Sequence, residues 1–229
     1  MRLVILKDPI WFAPLNVIHH FAQLKAKLPA EKQKSKNFKK AEEMNSVAVM
    51  LVGLQVLQKR KYWLQIVDDN EGSPDVRTGT FVPPSKTAAD DFSCQDIEVV
   101  TYGKHSPESF LDFLRGTKLS KKKSYDSKTM VLCVVQRDVL IPPFEKCRLA
   151  IEEMSVNCPV MIVGQTSTDE DKYKIVQIYP KVELETEFVL EKTLKENSHT
   201  GVLTLKWGTK PELKYRPEEK HFPFEKLGL

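Results

Sequence analysis

The chain has 229 residues, 41% hydrophobic and 29% charged, so it can bury a substantial core and lacks the composition of a disordered protein. Its net charge is only +4, but basic residues dominate 1–40 and 101–148, while acidic residues dominate 41–100 and 149–229. The four cysteines form no C-x-x-C pair and no apolar run could cross a bilayer or serve as a signal peptide, so we expect a cytoplasmic protein without structural zinc, disulfides or membrane contact.

Residues 1–36 predict an irregular arm with one short docked helix after Pro14, ending in a basic linker. A long helix follows at about 38–58, and its second half is apolar on every side, which indicates burial. Further helices are predicted to begin at Ser106, as an N-cap, and at Pro142. The predicted strands are 62–67, 75–82, 94–102, 129–136, 160–164, 173–179 and 201–207. Residues 188–194 fit a strand or a short helix, and 210–229 predict a charged, extended tail.

Two acidic residues stand on consecutive predicted strands. Asp75 opens the strand at 75–82, directly after Pro74, and Glu98 lies inside the strand at 94–102. Two carboxylates on neighbouring strands can hold Mg²⁺ against a phosphodiester, because this ion prefers oxygen ligands. The sequence therefore suggests a magnesium site at this pair.

The acid pair and the order of elements around it, over about 38–136, resemble the PD-(D/E)XK superfamily of restriction-endonuclease-like proteins. The resemblance implies an α/β fold with a restriction-endonuclease-like core, in which helices flank a central mixed sheet. The arm would be 1–36, the core 37–180 and the C-terminal extension 181–229. It also implies that Asp75 and Glu98 are catalytic and bind Mg²⁺, and that an acid from the long helix, Glu42 or its neighbour, completes the metal shell.

The superfamily pattern places a lysine two positions after the second acid, but this chain has Val100 there. Lys104, at the end of the same strand, is our candidate for a displaced catalytic cation. Arg77, Lys128 and Gln136 are the other polar groups that could take this role.

The basic loop after the third predicted helix is a candidate for nucleic-acid contact. Its proposed contacts, together with a histidine before that helix, are Lys121, Lys122, Lys123, Lys128 and His105. The loop has no arginine suited to bidentate guanine recognition, so we expect contact with the nucleic-acid backbone and little sequence specificity.

Three functional readings stay open. The first is a metal-dependent nuclease, or nuclease-like subunit, that acts on DNA, and the resemblance implies a bacterial or phage conflict system such as antiviral defence. The second is an inactive nuclease fold that binds protein or nucleic acid within a larger complex, docking through the arm or the tail. The third is that both acids are incidental, with Asp75 merely opening a strand and Glu98 paired with a surface lysine.

Overall fold

The computed structural model describes residues 10–67, 74–81, 92–106, 108–116, 119, 125, 128–137, 139–166, 171–197, 199–206, 212–216, 223–224 and 227–229. The strands are β1 (Ile10–Phe12), β2 (Tyr62–Ile66), β3 (Val76–Phe81), β4 (Phe92–Tyr102), β5 (Thr129–Val135), β6 (Val160–Gln165), β7 (Lys172–Tyr179), β8 (Glu183–Val189), β9 (Val202–Lys206) and β10 (Glu212–Arg216). The helices are α1 (Pro14–Lys27), α2 (Lys36–Gln58), α3 (Phe110–Gly116), α4 (Phe144–Glu153) and α5 (Leu190–Asn197). None of these helices is both long and apolar enough to cross a membrane.

The described strands form one mixed sheet with the order β10-β9-β1-β2-β3-β4-β5-β6-β7-β8. Only β4, β5 and β6 run parallel to one another, and every other neighbouring pair is antiparallel. The predicted α/β class and mixed sheet flanked by helices are therefore confirmed. From α2 to β7 the elements follow the predicted order, and the ends of the predicted strands are correct to within two residues.

The segments predicted as an arm and an extension contribute strands to this sheet. The β1 strand lies between β2 and β9, with Trp11 opposite Leu203, and β9 also pairs with β10. The strand predicted at 201–207 is confirmed as β9, whereas β1 and its place in the sheet were not predicted for the arm at 1–36. The reason is physical: the two ends of the chain pair with each other across about 190 residues, and local sequence patterns carry no signal for such a pairing.

Helices cover the two faces of the sheet differently. On the first face, α1 and α5 pack against α2, and α2 contacts β2, β3, β4, β6, β7 and β8. On the second face, α3 and α4 pack over a separate apolar cluster that includes Val100 and Tyr102 of β4. Ile97 and Val99 instead join the α2 cluster, so the alternation along β4 directs Glu98 to the second face.

Side-chain hydrogen bonds at the N-termini of α2 and α3 differ from the caps that the sequence predicts. The N-cap of α2 is Ser35, whose hydroxyl accepts a hydrogen bond from the Phe38 backbone N–H at 3.2 Å. Helix α3 begins at Phe110, later than predicted, and Ser106 does not cap it, because the Ser106 hydroxyl accepts the Gly103 N–H at 3.1 Å. The N–H of Asp112, in the first turn, is bound by Ser109 instead.

Candidate functional site

The structure brings Asp75 and Glu98 together on adjacent strands. Val76 pairs with Ile97 in the antiparallel β3–β4 ladder, so the next pair of opposing positions is Asp75 and Glu98. The Asp75 backbone N–H donates to the Ile97 carbonyl at 3.1 Å, and the Asp75 carboxylate accepts the Val99 N–H at 2.7 Å. The side chain of Asp75 thus extends the ladder beyond the end of β3 and is held beside Glu98.

Glu98 is buried on the second face of the sheet. Its side chain is 2% exposed, and it stands opposite Val131 of β5. Tyr125 lies close by: burial raises the pKa of this phenol, and the charges of Glu98, Cys158 and Asp75 raise it further. Burial likewise raises the pKa of Cys158 to about 11, and Glu98 adds to the rise. Both acids are therefore electrostatic neighbours of the same phenol.

A second polar row lies beside the acid pair on the same face. Arg77 follows Asp75 by two positions and Asp96 precedes Glu98 by two, so this row is about 7 Å away along the strands. The Arg77 Nε lies 2.7 Å from Oδ1 of Asp96, and both side chains are partly buried. Gln65 and Thr129 occupy the flanking positions in register. The row places an arginine about 7 Å from the acid pair, on the side of Glu98 opposite to Val100, where the superfamily lysine is missing.

Lys104 does not reach the acid pair. It lies exposed in the turn after β4, together with His105. The path from Glu98 to Tyr102 alone is about 13 Å of extended strand, and the turn follows it. Glu98 is buried while Lys104 is exposed beyond the far end of the strand, so the structure does not bring the two together, and the role of Lys104 as a displaced catalytic cation stays a prediction.

Glu42 is also separated from the pair. It lies on α2, which packs on the first face, whereas Glu98 faces the helices of the second face. The sheet itself stands between the two carboxylates, so the structure does not bring Glu42 to the pair, and its role as a third metal ligand stays a prediction. Within the described ranges, no group of three or more His, Cys, Asp or Glu residues is arranged to hold a metal. Asp75 and Glu98 remain the oxygen ligands that this site can offer to Mg²⁺.

The structure describes two of the five predicted nucleic-acid contacts, Lys128 and His105. Lys121, Lys122 and Lys123 lie outside the described residues. Lys128 is exposed at the start of β5, where its carbonyl accepts the Asp96 N–H at 2.9 Å. It therefore stands at the same end of β4 as the arginine row, while His105 lies at the opposite end.

Sequence reasoning did not predict that Tyr125 and Cys158 lie near Glu98, or that Arg77 pairs with Asp96. The pairing had a detectable signal, since each partner stands two positions from one of the acids and must share its face. Tyr125 and Cys158 had none, because their approach to Glu98 depends on loops before β5 and β6. The chain matches no model of a known protein family, no curated protein and no solved structure.

Proposed function

We propose that the chain is a metal-dependent nuclease, or a nuclease-like subunit, that acts on DNA through Asp75 and Glu98. One observation supports this proposal: Asp75, directly before β3, stands opposite Glu98 of β4 when the β3–β4 register is extended by one position, and its carboxylate is held at β4 by the Val99 N–H. Such a pair supplies the oxygen ligands that Mg²⁺ requires beside a phosphodiester.

In this proposal two residues of the second face bind the metal and a third stabilises negative charge on the phosphate. Mg²⁺ held by Asp75 and Glu98 would supply a bound water of lowered pKa and an electrophile for the phosphate. Arg77 takes the part of the missing lysine, because its permanent charge can offset negative charge that develops on the scissile group. Asp96 holds the arginine in place through the 2.7 Å contact.

A second candidate function is favoured by the way the acids serve the fold. Glu98 is 2% exposed, and Asp75 accepts a backbone N–H that would otherwise lack its strand partner. These roles suit a nuclease-like fold that is retained as a non-catalytic subunit and binds protein or nucleic acid.

The two candidates are separated by cleavage and metal titration. Purified protein is incubated with plasmid and linear DNA in Mg²⁺ or Mn²⁺, beside the variants Asp75→Asn and Glu98→Gln. Asparagine keeps an oxygen for the Val99 N–H, so Asp75→Asn tests metal chemistry rather than folding. Glu191→Gln, at an exposed site on α5, is the matched control.

The nuclease proposal expects cleavage, and Mn²⁺ binding measured by calorimetry, to be lost in both site variants and kept in the control. Thermal unfolding confirms that each variant is folded. If the wild-type protein neither cleaves DNA nor binds Mn²⁺, the nuclease proposal fails. A stable complex with DNA under the same conditions would then support the non-catalytic subunit.

A further inference from the structure

A cleft of about 300 Å³ opens on the first face, on the other side of the sheet from Asp75 and Glu98. It lies between the α1–α2 pair and the carboxyl ends of the parallel strands β5 and β6. Its lining includes Lys25, Glu42, Asn45, Arg137 and Tyr173. This volume is at the small end of the range for ligand pockets.

Arg137 provides a positively charged group at the sheet side of the cleft. It follows the last residues of β5, and its Nε donates to Oε1 of Gln165 at 3.2 Å. Gln165 in turn donates to Asp171 at 3.4 Å, which fixes the amide that orients the guanidinium. Arg137 forms no ion pair with the described residues, and a guanidinium can bind an anionic group of a ligand through its terminal nitrogens.

Glu42 provides a hydrogen-bond acceptor at the helix side. Its carboxylate has neither a hydrogen bond nor an ion pair with any residue in the described ranges. Burial raises the pKa of Glu42, although the nearby ammonium groups of Lys25 and Lys39 oppose the rise. Asn45 lies one turn further along α2 and lines the same cleft, adding an amide that can both donate and accept.

The floor between these two polar ends is apolar and includes an aromatic ring. Phe21, Val49, Val134 and Val163 line it, and all four belong to the core cluster of the first face or pack against it. Tyr173 stands beside the floor, with its ring stacked on Phe188 at 6.1 Å between centroids. Such a floor suits a flat heterocycle, which gains from aromatic and apolar contact without satisfying further polar groups.

We propose that this cleft binds a mononucleotide. The phosphate is held by Arg137, with Lys25 adding positive charge at the mouth, and the base lies on the apolar floor. Glu42 and Asn45 take the amino or hydroxyl groups of the base or the sugar. The volume accommodates one nucleotide unit rather than a polynucleotide, so the cleft is separate from any DNA path across the second face.

The test is calorimetric titration of the full chain with AMP, GMP and dTMP in a buffer that contains EDTA. Inorganic phosphate alone and leucine are titrated in parallel. The variants are Arg137→Gln and Glu42→Gln, and the matched control is Arg115→Gln, an exposed arginine on α3 of the second face. Asp75→Asn is included because a nucleotide bound at the proposed nuclease site would be affected by that substitution.

We expect one saturable site for at least one mononucleotide, weakened about tenfold or more by each cleft variant because each removes a charged or hydrogen-bonding group. Binding should be unchanged in Arg115→Gln and in Asp75→Asn. The proposal is overturned if no mononucleotide binds, if phosphate or leucine binds equally well, or if the cleft variants bind like the wild type. Loss of binding in Asp75→Asn alone would assign the nucleotide to the other face and would also overturn it.

Discussion

A buried histidine makes the stability of this fold sensitive to mild acid. His199 is 9% exposed and packs edge-on against Trp63, with 4.5 Å between ring centroids. Burial lowers the pKa of His199 to about 4, and the charge of Lys61 lowers it further, while a hydrogen bond with the Tyr62 backbone opposes the change. The folded protein therefore holds this ring neutral at a pH where the unfolded chain protonates it.

The sign and size of the effect follow from these two values. The pKa falls from 6.5 in the unfolded chain to about 4 in the folded protein, so the stabilisation is present above pH 6.5 and is lost as the pH falls toward 4. The full loss is about 3 kcal/mol, from 1.36 kcal/mol per pKa unit. At pH 5 the loss is about 2 kcal/mol relative to pH 7.5.

Urea unfolding at pH 7.5 and pH 5 measures this contribution. His199→Asn removes the titrating group and keeps a small polar side chain, whereas His105→Asn serves as a control in an exposed turn. Between the two pH values, the wild-type protein and the control should lose about 2 kcal/mol more than His199→Asn. The same pH dependence in all three proteins would show that His199 titrates normally, and the reasoning from burial would fail.

Two further predictions concern packing and thiol chemistry. At Gly53 of α2, an added Cβ would lie 2.6 Å from the Phe188 ring, so Gly53→Ala should lower the free energy of unfolding by about 1–2 kcal/mol, although alanine favours helices. Urea unfolding tests this, and a variant as stable as the wild type would show that the ring moves aside at little cost. Among the four cysteines, Cys94 is the partly exposed one and the other three are buried, so a thiol reagent at neutral pH should modify Cys94 first. Mass spectrometry of the labelled protein identifies the site, and earlier labelling of a buried cysteine would contradict the burial pattern.

Local sequence signals located the elements of the sheet because each depends on neighbours in the chain. The alternation along β4 separates Ile97 and Val99 from Glu98 and Val100, and the structure places the two sets on opposite faces of the sheet. Glu98 is the one charged residue among these four. The strand order then brings Asp75 opposite Glu98 without any further information. The acid pair is therefore the part of the candidate site that the sequence could predict.

The sequence could not show whether Glu42 and Lys104, the other residues expected at this site, lie near the acid pair. Glu42 is correctly placed on a helix by the sequence, but the face that α2 covers depends on how the chain crosses between strands. Lys104 is only six positions from Glu98 in the sequence, but each strand residue adds about 3.3 Å, so the two residues lie far apart along β4 and the turn after it. Conversely, β1 and β9 are far apart in sequence and adjacent in the sheet.

The two proposed sites lie on opposite faces of the sheet and use different strands. The antiparallel neighbours β3 and β4 bring Asp75 and Glu98 into opposing positions, and Arg77 lies in the next row of the same face, paired with Asp96. The parallel strands β5 and β6 instead end side by side, and their carboxyl ends form the floor of the cleft on the first face. The metal experiment and the nucleotide experiment therefore perturb different faces of the sheet. In the nucleotide titration, unchanged binding in Asp75→Asn is therefore expected if the cleft holds the nucleotide, and loss of binding in that variant alone would assign the nucleotide to the second face.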